Sequence, residues 1–99
     1  MTLKTETRDY KLISGVFSPE DAQQVLLSLI DFKIRFHRLK NWSQEERTGT
    51  TDISAELRIA ELTRTKAELS ALIEQVMESD QQLSVNCDIS INLAPSVEM

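Results

Sequence analysis

From Leu83 to Leu93 the chain alternates without a break. Leu83, Val85, Cys87, Ile89, Ile91 and Leu93 are apolar, and Ser84, Asn86, Asp88, Ser90 and Asn92 between them are polar. A period of two predicts a strand over 83–93 with one dry and one wet face. Pro95 stops it, leaving 94–99 as a tail. A second strand is predicted over 8–17, where Tyr10, Leu12, Ile13, Val16 and Phe17 are strand formers. Their alternation is imperfect, and Ser14-Gly15 is the place for a bulge that switches faces.

Between the strands the period changes. Ser18-Pro19-Glu20-Asp21 is a helix start: a hydroxyl to cap an amide, a proline for the first position, and two carboxylates for the positive end of the dipole. Ala22, Val25, Leu26, Leu29, Ile30, Phe36 and Leu39 then recur at helical spacing and predict a helix over 19–40. Leu27 and Ile34 fall outside that stripe and widen its apolar surface. Residues 41–52 lose periodicity and read as a loop with one helical turn near Ser43–Arg47. A second helix is predicted over 53–78, with Ile59, Leu62, Leu69, Ile73 and Val76 on one line and Lys66 in one of its slots.

The order is β-α-α-β, an α+β fold expected as a single domain over 1–99: antiparallel strands covered on one face by a helical hairpin. Lengths are compatible, since helices at roughly 1.5 Å per residue reach about 33 and 39 Å and strands at roughly 3.3 Å per residue reach about 33 to 36 Å. Two strands alone are marginal and leave long unpaired edges. The expected resolution is a homodimer in which strand edges meet to complete a four-stranded sheet. The competing arrangement is a monomer whose residues 2–8 fold back as a third strand.

Charge and composition narrow the function. Eleven basic and sixteen acidic residues give a net charge of −5, which opposes nucleic acid and anionic membrane as general partners. The balance is uneven, +2 over residues 1–40 and −7 over 41–99. No apolar run is long enough to span a bilayer, and the first residues lack a signal-peptide core. The single cysteine, Cys87, excludes an internal disulfide and a multi-cysteine zinc site, and its apolar neighbours predict a buried, inert thiol. A reducing cytoplasm is the expected location.

Few residues carry chemistry. His37, the one histidine, stands among Lys33, Arg35, Arg38 and Lys40. On a helix 33 and 40 fall near one face, and 35 and 38 on another. Cations at a helix C-terminus answer the dipole; with His37 and Trp42 they also make a place to grip an anion. The candidate contact residues are His37, Arg38, Trp42, Glu46 and Arg47. No metal, cofactor or catalytic residue is expected, since the chain lacks a phosphate loop, paired histidines, a nucleophile elbow and a calcium loop.

Phe17-Ser18-Pro19-Glu20-Asp21-Ala22, the stretch from Ser28 through Leu29-Ile30-Asp31-Phe32-Lys33-Ile34-Arg35-Phe36 to His37, and Ser43-Gln44-Glu45-Glu46-Arg47 together resemble small hypothetical proteins of bacterial genomes. The resemblance implies a bacterial cytoplasmic protein and brings no functional residue with it. The expected function is non-enzymatic: a homodimeric protein-interaction module. The alternatives are a ligand or catalytic site at a dimer interface around His37 and Arg47, and a nucleic-acid-associated regulator using the basic end of the first helix.

Overall fold

The computed structural model describes residues 7–94. Its elements are β1 (Thr7–Phe17), α1 (Pro19–Thr48), α2 (Ile53–Met77) and β2 (Leu83–Asn92), the β-α-α-β order that the periodicity predicts. The chain divides into two compact units, the paired strands and the stretch from Phe17 to Leu83 that holds both helices.

The strand unit is a two-stranded antiparallel sheet. Two side-chain bonds fix how the strands are matched. The Thr7 hydroxyl donates to the Asn92 side-chain carbonyl at 2.6 Å, and the Ser14 hydroxyl to that of Asn86 at 3.3 Å. Asn86 and Asn92 share a parity, whereas Thr7 and Ser14 do not. The pairing therefore shifts by one residue between the two bonds, as a bulge requires. Each strand has one edge without a neighbour among the described residues. Tyr10, Leu12 and Val16 on β1 and Ile89 and Ile91 on β2 are exposed, while Val85 and Cys87 are half-buried. Cys87 is thus free and half-buried rather than fully buried, because β2 has a neighbouring strand on one edge alone among the described residues.

The helical unit is a hairpin. Ser18 caps α1 as expected: its Oγ accepts from the Asp21 amide at 3.2 Å, and Pro19 occupies the first turn. The other end corrects the sequence reading. Residues 41–48 are not a loop; α1 continues to Thr48 and stops at Gly49, whose φ of 76° turns the backbone left-handed. The Gly49 amide donates back to the Glu45 carbonyl at 2.8 Å. The connection is therefore short, and its last residue, Asp52, caps α2 by accepting from the Ser54 amide at 2.9 Å. Asn41 locks the turn, its side-chain carbonyl accepting from the Asp52 amide at 2.8 Å.

The helices meet along matched rows. On α1 the buried or half-buried positions include Leu27, Ile30, Ile34, His37, Asn41 and Gln44; on α2 they include Ala55, Ile59, Leu62, Lys66, Leu69, Ile73 and Val76. Both rows step alternately by three and four residues, the spacing of a coiled-coil seam. The α2 row is the one that periodicity predicts. The α1 row is a second correction: Leu27 and Ile34 belong to the seam, while Leu29, Phe36 and Leu39 are exposed. The helix carries two apolar stripes, and α2 takes the one with fewer aromatic rings. Ile73, 1% exposed, is the largest fully buried side chain among the described residues. Lys66, the polar member of the α2 row, reaches Asp31 of α1 at 2.7 Å.

Candidate functional site

The hairpin opens a cleft beside its seam, near the closed end. Its volume is 410 Å³, and it is lined from α1 by Lys33, Phe36, His37, Lys40, Asn41 and Gln44, and from the start of α2 by Asp52, Ser54, Ala55 and Arg58. Helical spacing places the α1 set. Residues 33, 37, 40 and 44 stand three or four apart and fall on one flank of the seam. The turn at Gly49 then brings the first turns of α2 alongside them.

The wall is aromatic and cationic. The Phe36 and His37 rings meet edge to face, with centroids 5.6 Å apart and planes at 73°. The Lys33 and Lys40 ammonium groups stand 5.1 and 5.9 Å from the centroid of that same Phe36 ring. Arg58 holds Glu61 at 3.1 Å in a pair exposed on both sides, a contact of small strength. His37 is half-buried, and its Nε2 is enclosed without a hydrogen-bond partner. Asp52 is the one carboxylate on the wall, and it is engaged in capping α2.

Of the contact residues expected from sequence, His37 alone lines the cleft. Arg38 and Trp42 are exposed on another side of α1, and Glu46 and Arg47 are exposed at its last turns. The separation of the cations follows helical geometry: Lys33 and Lys40 line the cleft, and Arg35 and Arg38 do not. Sequence reading misses Asn41, Gln44, Ser54 and Arg58, because they become neighbours only when α1 runs past residue 40 and the turn closes. The available signal was the step of three and four through His37, Asn41 and Gln44, which continues the seam in polar residues. Among the described residues no group of three or more His, Cys, Asp or Glu is placed to hold a metal ion, and no helix is long and apolar enough to cross a membrane.

The surface also carries an apolar row away from the seam. Leu29, Phe32, Phe36 and Leu39 again step by three and four along α1, and Phe32 is 67% exposed. Lys33, Arg35 and Lys40 flank this row with positive charge.

Compared with family models, curated proteins and solved structures, the chain matches none of them.

Proposed function

We propose that the chain is a non-enzymatic protein-interaction module that works as a homodimer, with strand edges of two copies joining into a four-stranded sheet. The observation that carries this reading is the amount of apolar side chain with no cover: Tyr10, Leu12, Val16, Ile89 and Ile91 on the sheet, and Leu29, Phe32, Phe36 and Leu39 on α1. Strand edges without neighbours add backbone donors and acceptors that a second copy satisfies. The sheet is then the self-association surface, and the outer row of α1 is the surface for another protein.

The two surfaces are separable by experiment. Light scattering after size exclusion at about 50 μM is expected to give about twice the 11.3 kDa chain mass. The double substitution Ile89→Lys, Ile91→Lys places charges on the sheet and is expected to return the monomer mass. Phe32→Ala is expected to leave the dimer intact, because that ring lies on the helix. A wild-type chain that stays at 11.3 kDa removes the homodimer. A dimer lost in Phe32→Ala and kept in the sheet variant moves self-association to α1.

The ligand or catalytic reading around His37 and Arg47 has less support. Arg47 stands in the last turn of α1 and is not part of the cleft wall that His37 lines.

A further inference from the structure

The cations of the cleft require an explanation that the helix dipole does not supply. Basic residues near a helix C-terminus answer its partial negative charge, but the effect fades beyond the last turn. α1 ends at Thr48, and the basic residue of its last turn is Arg47. Lys33 and Lys40 lie well upstream, so the dipole does not account for them.

Two ammonium groups lean on a single ring, within 6 Å of its centre. Among the described residues neither has a carboxylate at ion-pair distance. Arg58 stands on the same wall, its guanidinium shared with Glu61 at 3.1 Å, and Asp52, which caps α2, is the one carboxylate there. Gathered like charges repel, and an anion placed among them reverses the sign of that interaction. The imidazole of His37 lines the same wall, with its Nε2 enclosed behind that surface. Phe36, His37 and Ala55 offer aromatic and apolar contact beside the charges. The volume lies within the range of small-molecule sites.

We infer that this cleft binds a small molecule bearing an oxyanion, a phosphate or a carboxylate, on a compact aromatic or apolar body. Lys33, Lys40 and Arg58 hold the anionic group, and the Phe36–His37 pair packs against the body. This site is independent of the homodimer reading, since every lining residue lies in the hairpin of one chain, and it shares Phe36 with the outer row of α1.

The test is a titration of the isotope-labelled full chain at low salt, followed by amide and imidazole NMR, with inorganic phosphate, phenyl phosphate and benzoate in separate arms. Saturable shifts confined to residues 33–44 and 52–58 are expected with phenyl phosphate or benzoate, and the stronger of the two identifies the anionic group. Phenyl phosphate is expected to bind more tightly than inorganic phosphate. Lys33→Gln with Lys40→Gln is expected to weaken binding at least about tenfold, as loss of charge-assisted contacts requires. Arg35→Gln with Arg38→Gln removes the same charge away from the wall and is expected to change it less than about twofold. Absence of saturation with all three probes in the wild-type chain overturns the proposal. So does an equal loss in the two double variants, which marks diffuse attraction to the basic half of α1.

Discussion

At Gly49 the backbone takes a φ of 76°, and a methyl group added there meets no atom within 4 Å. Substitution by alanine therefore costs backbone strain and no clash. Gly49→Ala is expected to lose about 1 kcal/mol, seen as a fall of about 4–8 °C in the thermal midpoint by circular dichroism; asparagine, which tolerates the left-handed region, is expected to lose less. At Asn41, across the turn from Asp52, chemistry rather than conformation is at stake. Asn41 supplies the acceptor for the half-buried Asp52 amide, and Asn41→Ala is expected to cost about 1 kcal/mol in urea unfolding. The Lys66–Asp31 pair is short at 2.7 Å, yet its side chains are 39% and 47% exposed. Solvent screens it, so Asp31→Asn is expected to cost less than about 1 kcal/mol, with the difference shrinking further in 0.5 M salt, a concentration at which screening acts over roughly a few ångströms.

At the scale of elements the hairpin depends on its seam. Ile73→Ala empties a fully buried position and is expected to cost about 2–5 kcal/mol. Leu57→Ala, on the exposed side of the same helix, is expected to fall within about 0.5 kcal/mol; equal losses in urea titrations would show that the seam is not where the helix is held. The α2 row and both strands were legible because apolar residues mark every covered position or nearly so. β2 reads unbroken from Leu83 to its last residue. The last turns of α1, residues 41–48, were not legible, because the seam there passes from His37 through Asn41 and Gln44, which carry no hydrophobic signal. The choice between the two stripes of α1 was also hidden. Leu27 with Ile34, and Leu29 with Phe36, are both regular helical rows, and the fit against α2 decides which is covered. The cleft inherits these gaps. Its lysines follow from spacing within one helix, while Arg58 enters through a turn whose position depends on where α1 ends.

At the scale of the molecule, the buried apolar residues among those described are Ala22, Ile34, Ile73 and Val76, and all four lie in the helices. None of the described strand residues is buried. A sheet of two strands with that exposure draws little stability from its own side chains, and pairing with a second copy would supply the rest. Unfolding is then coupled to association. The thermal midpoint is expected to rise by about 5 °C or more between 1 and 100 μM chain, because dimerisation stabilises by mass action. A midpoint independent of concentration would mean that the strands hold without a second copy.

The bond from Thr7 to Asn92 sets the first residue of one strand against the last residue of the other. A fluorophore attached at one of these positions and a quencher at the other would stay dark while the ribbon is zipped and brighten when it parts. Such a pair reports the sheet alone, separately from the helical signal that dominates circular dichroism, and so shows which half of the protein melts first.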